Sequence, residues 1–265
     1  MKKLALLSLL MCAIPVFANP QIEYTEGVYH LILQGKKAAK KIDFVSVDGL
    51  ETNMNVHKLY DSLLTVNAGY FDPNNKKTIS FVNSRYEGFE DPSFNEALIS
   101  NPILNRNIEK IFNRTEFRIL ECANKKYDFE ITQHFAPVPE GCIVVTSAQG
   151  GPEIYPRLRL EEEFFIQKNS DGHVVRESCS VLHRTARTVI ALKDGDVHIF
   201  IITNKNPMTL QEVALYVEKF GVEKAMAFDG GSSTSFDYKD IHVVSTQTDG
   251  QDTGRKLKSF LIYKK

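Results

Sequence analysis

An acid, two glycines and a run of hydroxyl side chains, Asp229-Gly230-Gly231-Ser232-Ser233-Thr234, follow the short apolar stretch 225–228. A carboxylate in that setting can serve as a general base or as a nucleophile. Paired glycines let the backbone turn sharply and approach a ligand, because no Cβ intervenes. The hydroxyls and freed backbone amides can then bind sugar hydroxyls or a phosphate. The competing reading is structural, a tight Asp-Gly turn between two strands.

Three further stretches combine an apolar run with a polar or glycine-bearing end. Asn67-Ala68-Gly69-Tyr70-Phe71 closes the run 63–66, and the Asn67 amide can both donate and accept toward a bound hydroxyl. Gln149-Gly150-Gly151-Pro152 joins a flexible turn to a stiff stop. Arg187 opens the strand pattern 188–193, and a guanidinium can grip a phosphate through two parallel bonds. Singly, each has a structural reading: Asn and Gly end strands, and arginines lie on surfaces.

In this order the stretches resemble the phosphodiester glycosidase family. The matching segments are Asn67–Phe71 residue by residue, Gln149-Gly150-Gly151-Pro152, Arg187-Thr188-Val189-Ile190-Ala191, Thr209-Leu210-Gln211-Glu212 and Asp229-Gly230-Gly231-Ser232-Ser233, with Arg255 before the last strand. The resemblance runs from about residue 63 to the end and leaves 84–118 unmatched. Ala191 stands where the family has glycine, and Ser232 replaces the third glycine of the Asp-Gly-Gly-Gly run. Arg184 is a second, less well spaced candidate for the arginine.

The resemblance implies hydrolysis of the bond between a sugar and a phosphodiester, releasing free sugar and a phosphomonoester, with a small-molecule or polymeric substrate and no metal or other cofactor. It assigns catalysis to Asp229, Arg187 and Asn67. Substrate binding falls to Gly69, Gln149, Gly151, Gly230, Gly231, Ser232, Ser233, Thr234 and Arg255. A sugar-1-phosphate oxygen is a good leaving group, so Arg187 stabilising its charge would reduce the need for a general acid. No motif identifies the second carboxylate of ordinary glycosidases. Asp72 is a candidate, but beside Pro73 it reads as turn chemistry.

Two other readings follow from the same residues. One is a non-catalytic carbohydrate or cell-wall binding module on this scaffold. The other is a metal-dependent hydrolase using Asp229 with Asp237 or His242, although no His/Asp/Glu cluster shows recognised ligand spacing.

The elements that must position these residues read as one α+β domain, a mixed, sheet-rich body with packed helices over 19–265. Its first strands, 27–33 and 42–47, flank a basic stretch 36–41 that reads as their turn, and 48–58 reads as a loop. Pro92 and Pro102 mark the starts of short helices in an insert over about 84–118. The triplet Glu161-Glu162-Glu163 reads as a solvated face. Asp194-Gly195 joins two strands in a hairpin. Thr209 and Glu212 form a capping box on a helix 210–220, which offers Val213, Leu215, Val217 and Phe220 to the core.

Composition sets outer bounds. The 265 residues carry a net charge of −1, which gives no electrostatic footprint for nucleic acid. Lys2 and Lys3 precede an apolar run 4–14, and small residues end at Ala18, the pattern of a cleavable signal peptide over 1–18. That run is short for a membrane span, so no stable insertion is expected after cleavage, and the location is periplasmic or secreted. Export permits a disulfide, with Cys122–Cys142 the first choice among Cys122, Cys142 and Cys179.

Overall fold

The computed structural model describes residues 19–245 and 254–265 of the chain; the signal-peptide expectation for 1–18 lies outside them. Three antiparallel sheets carry the architecture. The first orders six strands as Gln21–Thr25, Val28–Leu33, Asp196–Ile202, Arg187–Lys193, Lys224–Ala227 and Glu153–Tyr155. The second orders five as Ile241–Val244, Ser235–Tyr238, Ser62–Asn67, Leu257–Lys264 and Ile42–Glu51. A third orders five as Gly88–Glu90, Val82–Ser84, Cys142–Gln149, Thr115–Cys122 and Lys126–Gln133. A small ribbon pairs Ile166–Lys168 with Val174–Glu177. With its helices this is the expected sheet-rich α+β fold, and its strand pairs run antiparallel among the described residues.

The sheets meet in one core. Phe44 from the second sheet packs edge-on against Phe117 of the third and Phe228 at the end of the first, with ring centroids 6.0 and 5.9 Å apart. The central hairpin of the first sheet is mostly apolar because both its faces are covered. Ile190, Leu192, Ile199 and Ile201 face the inter-sheet core. Val189, Ala191, Phe200 and Ile202 face a second cluster under the helix Leu210–Glu218. The hairpin turn has Asp194 and Gly195 both at positive φ (51° and 78°), the geometry that twists with the strands.

The capping box forms: Thr209 accepts from the Glu212 N–H, and the Glu212 carboxylate accepts from the Thr209 N–H. Such a cap stabilises a helix by about 1 kcal/mol. Val213 and Val217, four residues apart, share the buried face; Leu215, offered to the core by the sequence, lies on the opposite face, 54 % exposed.

Several expectations are corrected. The basic stretch expected as a turn is the helix Gly35–Lys41, which buries Ala38 and Ala39 and keeps its lysines outward. The strands it links belong to different sheets, so the stretch does not close a hairpin. The stretch 48–58 is not a loop. The strand Ile42–Glu51 continues into it, and Thr52 caps the helix Asn53–Leu59 through the Asn55 N–H. The insert is narrower than 84–118. Its helices Glu96–Ser100, Pro102–Asn105 and Ile108–Phe112 sit between the strands Gly88–Glu90 and Thr115–Cys122. Cys122 and Cys142 face each other across paired strands and are disulfide-bonded, as expected.

Candidate active site

The strand Lys224–Ala227 delivers the glycine-serine turn to the surface of the core. Backbone bonds then fix it: Phe228 N–H to the Thr188 carbonyl, Asp229 N–H to Ala68, and Gly231 N–H to Ala186. Asp229, Gly230, Gly231 and Ser232 thereby form one side of a cleft of about 440 Å³. Among the described residues that line it, Asp229 supplies the one carboxylate, against the three guanidinium groups of Arg114, Arg176 and Arg255.

Desolvation raises the Asp229 carboxyl from 3.8 to about 6, although the Ser233 hydroxyl, Arg255 and the Gly230 N–H pull it down. Arg255 holds the turn from outside. Its Nη1 donates to Ser232 Oγ at 2.9 Å and Ser233 Oγ at 3.3 Å, and its guanidinium lies 5.0 Å over the Phe71 ring.

Arg114 and Arg176 converge from distant parts of the chain. Arg114 Nε donates to the Glu163 carbonyl at 2.9 Å and its guanidinium stacks 3.9 Å over Phe165. Arg176 Nη1 donates to the Phe164 carbonyl at 3.0 Å and stacks 4.2 Å over the Phe164 ring. Arg114 Nη2 reaches the same Phe164 carbonyl at 3.5 Å. Neither arginine has a carboxylate ion-pair partner among the described residues. Two like charges gathered on one carbonyl oxygen, in a cleft, leave guanidinium donors for an anion. Phe164 itself has φ 56°, a left-handed conformation costly for a buried aromatic residue.

The sequence-derived site residues divide in two. Asp229, Gly230, Gly231, Ser232 and Arg255 line the cleft, and Ser233 lies directly behind it, bonded to Asp229 and Arg255. The others do not. Asn67 is fully buried: its Nδ2 donates to the Asp229 carbonyl at 2.6 Å, and its Oδ1 accepts from Thr188 Oγ1 and the Ser235 N–H. Buried, and bonded through both its nitrogen and its oxygen, it positions the turn. Arg187 is largely engaged with the protein. Nε donates to the Met208 carbonyl, and Nη2 donates to the carbonyls of Ser180 and His183. These bonds anchor the loop 178–185, and Arg187 does not line the cleft.

Gln149 donates from Nε2 to the Phe112 carbonyl and ties the insert to the third sheet, with its Oε1 buried and without a partner among the described residues. Thr234 is buried behind the turn. A Cβ on Gly69 would lie 2.7 Å from that of Ser80, so this glycine serves packing. Gly151, at φ 85°, would bring a Cβ within 2.2 Å of Glu163 Oε2. Glu163, expected on a solvated face, is fully buried there and accepts from Thr115 N–H, Thr115 Oγ1 and the Glu153 N–H. Asp72 caps its own turn through the Asn74 N–H and does not line the cleft.

The metal reading loses its geometry. Asp237 accepts from Asn53 Nδ2 at 2.7 Å and pairs with His242 at 2.6 Å, and neither residue lines the cleft. No group of three or more His, Cys, Asp or Glu fit to hold a metal ion occurs among the described residues. Cys179 does line the cleft, but desolvation and the neighbouring Asp229 push its thiol up to about 11, which makes it a poor nucleophile.

Sequence reasoning missed Arg114, Arg176, Glu163 and Cys179, and no motif marks them; Tyr70 sat inside a recognised segment. Its hydroxyl donates to the Gly151 carbonyl at 3.0 Å, joining two of the motif stretches.

A family model for phosphodiester glycosidases matches residues 60–264. No curated protein matches the chain. The zebrafish N-acetylglucosamine-1-phosphodiester alpha-N-acetylglucosaminidase catalytic domain, auto-inhibited by its pro-peptide, is similar in structure, with a TM-score of 0.68 at 15% identity over 96% of this chain and 85% of that one. A Burkholderia pseudomallei protein has a TM-score of 0.59 at 9% identity, over 90% of this chain and 74% of its own. A Synechocystis protein has a TM-score of 0.56 at 12% identity, over 92% of this chain and 61% of its own. At these identities the structures share the fold.

Proposed function

This chain belongs to the phosphodiester glycosidase family, and from that premise we propose that it is an exported hydrolase that splits a sugar from a phosphodiester. The observation that carries the proposal is the Asp229 carboxylate sharing one cleft with three guanidinium groups. A phosphodiester bears one negative charge, and two guanidinium groups without ion-pair partners suit it. We assign the phosphate to Arg114 and Arg176, and the sugar to the turn Gly230-Gly231-Ser232 beside Asp229.

In the reaction the C1–O bond to the phosphate breaks and the water oxygen becomes the sugar's anomeric hydroxyl. One water proton passes to Asp229 and then to the departing phosphate, which leaves as a monoester. Asp229 either activates that water or first attacks C1 itself; inversion or retention at the anomeric carbon separates the two. A leaving phosphate held by arginines needs little protonation, in keeping with a cleft that carries one carboxylate among its described residues. Export rests on the amino-terminal pattern of Lys2, Lys3 and the apolar run that follows.

The test is sugar release from a panel of hexose-1-phosphodiesters by the purified protein, with Asp229→Asn and Arg176→Ala beside it. Release that Asp229→Asn lowers by about 100- to 10,000-fold is the expected result. Sugar release unaffected by Asp229→Asn would remove the carboxylate from the chemistry. Sugar binding without release by the wild type would mean a binding module on this scaffold.

A further inference from the structure

The cleft has a second wall, and it is aliphatic. Ile79, with Leu98, Leu104 and Ile111 from the insert helices, lines the same cavity as Asp229 and the arginines. Leu98, Ile111 and Phe164 form a small cluster separate from the two cores of the sheets, and Ile79 and Leu104 pack against it. Phe164 belongs to both halves of the site: its ring is in this cluster and under Arg176, and its carbonyl takes both Arg176 and Arg114. The cation pair therefore borders the hydrocarbon wall in the cleft that Asp229 also lines.

We infer that the alcohol on the far side of the phosphate from the sugar is a hydrocarbon chain, alkyl or isoprenoid, held by this wall. The inference rests on the phosphodiester reading above for the identity of the head group. Charge complementarity seats the phosphate on Arg114 and Arg176, and the side chains beyond them offer no donor or acceptor. A second sugar placed there would lose water from its hydroxyls without replacement, whereas methylene groups gain by the same burial. The insert also exposes apolar side chains. Ile103, next to Leu104, is 49 % exposed, and Phe94 in the same insert is 73 % exposed.

The experiment is calorimetric titration of the purified protein with methyl, butyl and hexyl phosphate, kept below micelle formation, on wild type, Leu104→Ser and the volume-conserving Leu104→Met. Affinity is expected to rise about threefold to fourfold per methylene in the wild type. Leu104→Ser is expected to cut the hexyl-to-methyl ratio about tenfold, and Leu104→Met to retain most of it. Equal affinities along the series, no binding by any member, or a ratio untouched by Leu104→Ser would overturn the proposal. Hydrolysis of the matching glucose-1-(alkyl phosphates) is read separately. Chain-dependent binding without sugar release would sink the glycosidase reading and leave the apolar subsite standing. Sugar release that ignores chain length would do the reverse.

Discussion

The side-chain amide of Asn67 donates to the backbone carbonyl of Asp229 at 2.6 Å, joining the end of one sheet's strand to the acid of the glycine-serine turn. The same amide accepts from Thr188 Oγ1 and the Ser235 N–H, so one buried side chain gathers three strand ends around the site. Asn67→Ala removes all three bonds and leaves buried polar groups unpaired, at a cost of about 3 kcal/mol. In a chain of this size the midpoint of thermal unfolding should fall by roughly 6–10 °C. Calorimetry checks it, and a loss under 2 °C would mean that water or relaxation replaces the amide.

The raised Asp229 carboxyl sets the pH profile of a hydrolase that uses it ionised. With a value of about 6, kcat/KM should fall tenfold per pH unit below that value and level off above it. A rate constant from pH 4.5 to 7 would show that the ionised carboxylate is not required.

Asp229 also costs the fold something. Because desolvation raises it from 3.8 to about 6, the folded chain binds more protons than the unfolded chain between those values. Stability contributed by this group is therefore lost as pH rises from about 4 to about 6. Asp229→Asn should raise the unfolding midpoint at pH 7 by about 2–4 °C, allowing for solvent screening of a partly exposed group, and by nothing at pH 3.5. A variant less stable than wild type at pH 7 would place the carboxylate in the structural framework instead.

A different pair contributes to acid sensitivity. His30 Nε2 and His198 Nδ1 lie 2.9 Å apart under Phe200 and Phe220, and both imidazoles are held below their usual value, His30 at about 4, chiefly by burial. Lys193 lowers both further, while Asp194 and Asp196 oppose it at His198. As pH falls below about 6.5 the unfolded imidazoles take up protons that the folded ones refuse, so stability drops until His30 itself titrates near 4. His30→Phe should flatten the fall in unfolding midpoint between pH 7 and pH 5 by half or more. An unchanged slope would assign acid sensitivity to other groups.

Two glycines at positive φ separate backbone strain from collision. Gly151 has φ 85° with the Glu163 carboxylate where a Cβ would lie, while Gly172 has φ 80° with open space around it. Gly172→Ala should cost about 1 kcal/mol for its conformation alone. Gly151→Ala should cost at least about 3 kcal/mol, because it also displaces a buried carboxylate holding three donors. Denaturant unfolding of both variants measures the difference; equal losses would mean that Glu163 yields freely.

Local chemistry was legible from the chain alone. The capping box of Thr209 and Glu212, the Asp194-Gly195 hairpin and the turn after Phe228 all depend on residues within a few positions of one another, so short-range sterics and hydrogen bonding settle them. The tertiary structure decided which polar side chains remain available to a ligand. Asn67 and Arg187 carry the right groups, but Asn67 meets Asp229, Thr188 and Ser235 from 162, 121 and 168 residues away, and Arg187 gives three of its donors to carbonyls of two other loops. Glu163 looks solvated in its acidic triplet until Gly151, Thr115 and Glu153 close around it. Arg114 and Arg176 belong to no motif and become a pair only on the Phe164 carbonyl. A side chain's type states what bonds it can make; the distant segments folded against it determine which of those bonds are already made.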